Sequence, residues 1–101
     1  MKPCPWPLVC VLWEDAFDGE NGWTEVRAYQ PEPAMVVTVG FLWPECLKGY
    51  VTVVNSYFPD EADDMNTVGM PVHIPSGMVK QVVLIEQPIF RAHENSVTPD
   101  I

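Results

Sequence analysis

Along residues 34–43, AMVVTVGFLW, the side chains sort with a period of two. Met35, Val37, Val39, Phe41 and Trp43 share one face, and Val36, Thr38, Gly40 and Leu42 share the other. Successive side chains of a strand point to opposite sides, so this segment reads as a strand. Gly40 in its middle predicts a bulge or a sharp bend. LVCVLW (8–13) is apolar throughout and predicts a buried strand after a proline-stiffened start. TEVRAY (24–29) predicts a short strand stopped by QPEP, and PECLKG (44–49) predicts a hairpin turn. YVTVVNSYF (50–58) returns from that turn as a strand. MPVHIP (70–75) and VKQVVLIE (79–86) predict two more, joined by SGM. Residues 14–23 and 59–69 carry no apolar period and read as polar loops.

Eleven prolines punctuate the 101 residues too often for a long helix. The expectation is a mainly β fold of about five short strands, a small, strongly bent sheet or barrel of SH3-like or Sm-like size. Residues 1–86 form the single domain and 87–101 a peripheral extension. The order of a bent strand, a hairpin, an acidic loop and then IPSGMVKQVVLI is similar to the last strands of Sm-like barrels, where a short turn separates the fourth and fifth strands.

Charge narrows the partners. Fourteen acids against five bases leave a net charge of −9, and five scattered cations cannot neutralise a run of phosphates. Direct nucleic-acid and anionic-membrane binding are therefore disfavoured, while basic protein surfaces are attracted. Cys4, Cys10 and Cys46 form an odd set without CxxC spacing and read as reduced thiols, with Cys10 in the core. The N-terminal apolar run, Leu8 to Trp13, is too short for a signal peptide or a membrane span. The expected location is the cytoplasm.

Ten of the fourteen acids fall in or beside the two polar loops: Glu14, Asp15, Asp18, Glu20, Glu25 and Glu32, then Asp60, Glu61, Asp63 and Asp64. With Gly19 in the sixth position of a calcium loop, Glu14 and Glu25 take the first and twelfth. Ala16 then occupies the third, where a ligand is needed, and strands replace the flanking helices. No metal is expected. Carboxylate catalysis requires one acid desolvated beside another kept ionised, which loops rich in Gly and Asn do not supply. His73 and His93 read as structural, and no GxSxG, HExxH, P-loop or GxGxxG sequence occurs. The chain is read as non-enzymatic and without a cofactor. Its Trp and Tyr residues exceed what a small core hides, so some are expected at a contact surface.

LWEDAFDGENGW, VVTVGFLW, GYVTVVNS and VHIPSGMVKQVVLI together resemble a family of small tailed-bacteriophage proteins with no established activity. Trp13, Glu14, Asp15 and Trp23 match its first block, residues 37–42 its second, and Ile74, Pro75 and Val79 its third. The resemblance spans residues 13 to 86 and departs in a longer loop at 59–69 and a longer tail. It implies a setting, the cytoplasm of a bacterial host, and carries over no catalytic residue. The expected function is binding and inhibition of a host protein of defence or nucleic-acid processing. The surface is Glu14, Asp15, Asp18, Glu20, Asp60, Glu61, Asp63 and Asp64, with Trp23 as aromatic anchor. The alternative is a homo-oligomeric sponge for a small nucleotide signal, using Arg27, Lys48, His73 and Lys80 as anion contacts.

Overall fold

The computed structural model describes residues 2–19 and 22–90. The strands are β1 (Leu8–Asp15), β2 (Ala34–Trp43), β3 (Tyr50–Val54), β4 (Ser56–Tyr57), β5 (Val68–Gly69), β6 (Val72–Pro75) and β7 (Val79–Ile85). Short 3-10 turns occupy Pro59–Glu61 and Ser76–Met78, and no α-helix forms among the described residues. Five strands make one antiparallel sheet in the order β6-β3-β2-β1-β7, and β4 and β5 pair separately. The fold is mainly β. Hydrogen bonding does not close it into a barrel, because β6 and β7 stand at opposite ends of the strand order.

β1 is the hub. It pairs with β2 along its whole length, Leu8 opposite Phe41 through Asp15 opposite Ala34, and with β7 on its other side. That register places Val9, Val11 and Trp13 on one face with Gly40, Thr38 and Val36. Leu8, Cys10 and Leu12 lie on the other face with Phe41, Val39 and Val37. The first face holds the core: Val9 and Val11 from β1, Val53 from β3 and Ile74 from β6 are fully buried, with Leu42, Val51 and Val79 packed around them. Trp13 closes one side, its Nε1 donating to Thr38 Oγ1 at 2.9 Å. The core thins toward β7, where Val82 and Leu84 lie opposite Val11 and Val9 yet stay exposed.

The opposite face is covered at one end only. Residues 2–7 and the excursion between β3 and β6 fold over it there, burying Cys4, Val54 and Ala62. Trp6 stacks on Trp43 at 5.4 Å, and Phe41 meets Tyr57 edge to face at 5.1 Å. Gln87 ties this cover down: its Nε2 donates to the carbonyls of Cys4 and Trp6, and its Oε1 accepts from Cys4 N. Gln87 is thus fastened to the domain, within the segment expected to be peripheral. Residues 91–101 of that segment lie outside the described residues.

Three local expectations are corrected. Residues 24–29 are no strand: Ala28 N and Tyr29 N both donate to Glu25 O, and these bonds curl the segment into a turn. The strand expected over 50–58 breaks at Asn55, whose N–H goes to Gly69 O, so Ser56 and Tyr57 pair with β5 instead. Gly40 carries no bulge, since β1–β2 pairing runs through it unbroken. The irregularity falls in β7, where the register against β1 shifts between Leu12 and Trp13. Gly40 is needed for close approach instead. A Cβ there would sit 2.6 Å from the Val54 carbonyl oxygen and 3.3 Å from Val53 Cβ.

Because the obstructing atom is backbone, Gly40→Ala has to push β3 away from β2 at the edge of the core. The expected result is a loss of about 1–3 kcal/mol in denaturant unfolding, the usual range for overpacking. An unchanged midpoint would mean that β3 yields freely.

Candidate partner-binding site

Residues 16–33 connect β1 to β2 as an eighteen-residue loop without regular strand or helix in its described part. Connections this long inside compact domains are uncommon, and they are usually either functional or linker segments. With the end of β1 it carries six acids (Glu14, Asp15, Asp18, Glu20, Glu25, Glu32) against one base, Arg27. Glu20 lies outside the described residues. Glu14 is held by Lys80, 3.2 Å from its carboxylate, and Asp15 accepts a 2.8 Å hydrogen bond from Ala16 N. The turn closed on Glu25 shapes the far part of the loop.

Trp23 and Val26 sit on this loop with relative exposures of 103% and 92%. An indole this exposed gives up its burial free energy entirely, on the order of 3 kcal/mol for a large apolar side chain. The other three tryptophans are engaged: Trp6 and Trp43 with each other, Trp13 with Thr38. Among the tryptophans, the expectation that some aromatics remain for contact therefore narrows to Trp23 in the loop, with Phe17 half exposed nearby in sequence, while Tyr50 and Phe58 are also exposed elsewhere.

The second acidic segment is elsewhere. Pro59 starts its 3-10 turn, Asp64 N and Met65 N fold back on Glu61 O, and Ala62 is buried beneath. Asp63 pairs with Lys2, which raises the Lys2 pKa from its ordinary value through that hydrogen bond and its Coulomb attraction. Cys4 Sγ lies 4.0 Å from Met65 Sδ. These contacts fix Asp60, Glu61, Asp63 and Asp64 at the N-terminal end of β1, whereas Glu14, Asp15 and Asp18 leave its C-terminal end. A strand of this length separates its ends by about 25 Å, so the two groups of acids do not meet in one surface. Sequence spacing gave no sign of this, because it depends on where residues 2–7 return.

The four cations of the nucleotide reading are spread over four elements: Arg27 in the long loop, Lys48 in the 44–49 turn, His73 on β6 and Lys80 on β7. His73 Nδ1 is hydrogen-bonded to Thr52 Oγ1 at 2.8 Å, and Lys80 is taken up by Glu14. An open cleft of about 400 Å³ lies instead between Lys2, Phe41, Asn55, Ser56, Tyr57, Pro59 and Phe90. Ser56 Oγ donates to Asn55 Oδ1 at 2.8 Å, and Phe41, Tyr57 and Phe90 supply the aromatic walls of the cleft. No three His, Cys, Asp or Glu side chains gather as metal ligands among the described residues. No described helix is long and apolar enough to cross a membrane.

All three cysteines are free thiols. Cys10 is not in the core, as its sequence context suggested, but on the opposite face of β1 and half-buried. Cys4 is the buried thiol, and that burial pushes its pKa up more than the Trp6 backbone hydrogen bond lowers it. Comparison with family models, curated proteins and solved structures finds no match to any of them.

Burial and a raised pKa both slow thiolate chemistry. Cys4 is therefore expected to alkylate much more slowly than Cys46 in the folded protein, and at a similar rate once urea unfolds it. Equal rates in the native state, read by mass spectrometry, would place residues 2–7 off the domain.

Proposed function

We propose that this chain is a non-catalytic binding protein of tailed-bacteriophage type that docks its β1–β2 loop on a basic surface of a host protein and inhibits it. The host protein belongs to defence or nucleic-acid processing, and the encounter takes place in the bacterial cytoplasm. The observation that carries the reading is Trp23, fully exposed in a loop where acids outnumber bases. An aromatic side chain at the centre of a charged rim is the common anatomy of a binding hot spot: the ring supplies desolvation energy, the acids steer and align. Asp15 and Asp18 supply the acidic rim, with Glu14 held at its base by Lys80. The second group, Asp60, Glu61, Asp63 and Asp64, belongs to a separate contact of the same partner or to none.

The loop needs a rigid base, and we place it on a strongly bent sheet of the SH3-like or Sm-like kind. Support comes from the link between β6 and β7. In a flat five-stranded sheet these edges lie about 19 Å apart, while three residues reach about 10 Å at full extension. Ser76–Met78 nevertheless joins them, with Ser76 N donating to Gly49 O. A bend brings the two edges together across the core shared by Val11 and Ile74. The nucleotide sponge gains no comparable support, because its four cations are spread over four separate elements.

The test is capture of host proteins from a bacterial lysate by four chains: wild type, Trp23→Ala, the triple reversal Glu14→Lys, Asp15→Lys and Asp18→Lys, and Asp60→Lys with Asp64→Lys. Wild type is expected to hold a partner that Trp23→Ala weakens at least tenfold and the triple reversal loses, each variant keeping the wild-type circular dichroism. A partner held equally by all four chains would remove the loop from the function.

A further inference from the structure

Among the described residues of the 16–33 loop, all are exposed except Tyr29. Its ring lies against Gly19, ten positions earlier in the same loop. A Cβ built on Gly19 would sit 2.7 Å from the Tyr29 hydroxyl oxygen and 3.4 Å from Tyr29 Cζ. The hydroxyl end of the ring therefore rests on the Gly19 backbone, in space that any larger residue would fill. Nine residues, 20–28, run between these two contact points, and Trp23 is among them. The same stretch is held twice more. Ala28 N and Tyr29 N both donate to Glu25 O, at 3.1 and 3.0 Å. Gly22, beside Trp23, has a φ of 88°, a left-handed value that glycine adopts without strain.

We propose that Tyr29 seated on Gly19 is a clasp that closes the neck of the β1–β2 loop and positions Trp23, so that the loop docks on its partner preformed. The purpose given to the clasp rests on the partner-binding role of Trp23 proposed above.

Both halves of the clasp are tied to the sheet. Tyr29 reaches β2 through Gln30, Pro31, Glu32 and Pro33. Each proline locks its own φ and keeps the residue before it out of helical conformations, so these four residues make a stiff spacer. On the other side only residues 16–18 separate Gly19 from the end of β1, and Ala16 N is held by Asp15 Oδ1. A free eighteen-residue loop has many conformations to lose when it docks, and ordering them subtracts from the binding free energy. Pinning Tyr29 to Gly19 removes part of that loss in advance. It also accounts for one aromatic ring drawn out of water in a loop whose other described residues stay in it. Glycine is needed at position 19 because the ring touches backbone there.

Trypsin reads the clasp without a partner. Cleavage after Arg27, the one base of the 16–33 loop, needs the residues around it extended, which the turn on Glu25 and the seated Tyr29 oppose. The native cleavage rate therefore follows the fraction of time the clasp is open. Tyr29→Ala is expected to speed the cut after Arg27 by about fivefold or more, with the cut after Lys48 unchanged as the internal control. Gly19→Ala pushes on the hydroxyl and should speed it too. Adding Tyr29→Phe to Gly19→Ala removes the obstructing atom and should restore the wild-type rate. In the lysate capture, Gly19→Ala should hold less partner and the double variant should recover it. Equal cleavage after Arg27 in wild type and Tyr29→Ala, or no rescue by Tyr29→Phe, would overturn the clasp. Capture unaffected by Gly19→Ala while Arg27 becomes accessible would overturn its part in docking. A wild type that captures nothing counts against the partner reading, and cleavage then decides the clasp alone.

Discussion

Burial of Val9, Val11, Val53 and Ile74 in one cluster is the interaction on which the rest of this structure depends. The four side chains come from three strands, two of which never pair with each other, so the cluster joins parts of the sheet that hydrogen bonding leaves apart. Full burial of a Val or Ile is worth about 1.5–3 kcal/mol, and a domain of this size has only about 5–15 kcal/mol of net stability. Little is held in reserve. The close approach of β2 to β3 at Gly40 acts on the margin of this cluster, while the Gln87 clamp on residues 2–7 holds the cover over the opposite face.

The thin core also explains which parts of the fold were legible in the sequence. β2 was readable because its period-two pattern runs for ten residues, and β7 and β1 because apolar runs bounded by proline and acid admit little else. The hairpin at 44–49 was readable from its flanks. Its geometry relies on positive φ at Glu45 (53°) and Gly49 (83°). Residues 24–29 misled because Thr, Val and Tyr favour strands, yet no neighbouring edge was available and the backbone satisfied itself locally through Glu25 O. Residues 50–58 misled because nothing in the sequence announces that Asn55 will bond to Gly69. Gly40 drew attention as a bulge or bend; no bulge forms there, and the missing Cβ serves a close backbone approach.

The candidate site was legible as chemistry and not as geometry. Acid-rich loops and surplus aromatics were visible, but a sequence cannot say which tryptophans find partners. Stacking of Trp6 on Trp43 and the Trp13–Thr38 bond remove three of them and leave Trp23. Nor could it say that Lys2 would hold Asp63 while Lys80 holds Glu14, which sends the two acidic groups to opposite ends of β1. The apolar character of both faces of β2 was legible too. Its consequence, an uncovered surface, appears only once the cover from residues 2–7 is seen to stop at Phe41.

A small domain that carries six of its fourteen acids in or beside one long loop and leaves an indole there in water is proposed to make its contact away from its core. The central claim is that this contact is made by Trp23 under acidic steering, and photo-crosslinking from position 23 tests it most directly. A photoreactive phenylalanine analogue in place of Trp23, irradiated in host lysate, should yield a discrete protein adduct at low salt. That adduct should fade as salt screens the acids. No adduct from position 23, or one of equal yield at every salt concentration, would contradict the account.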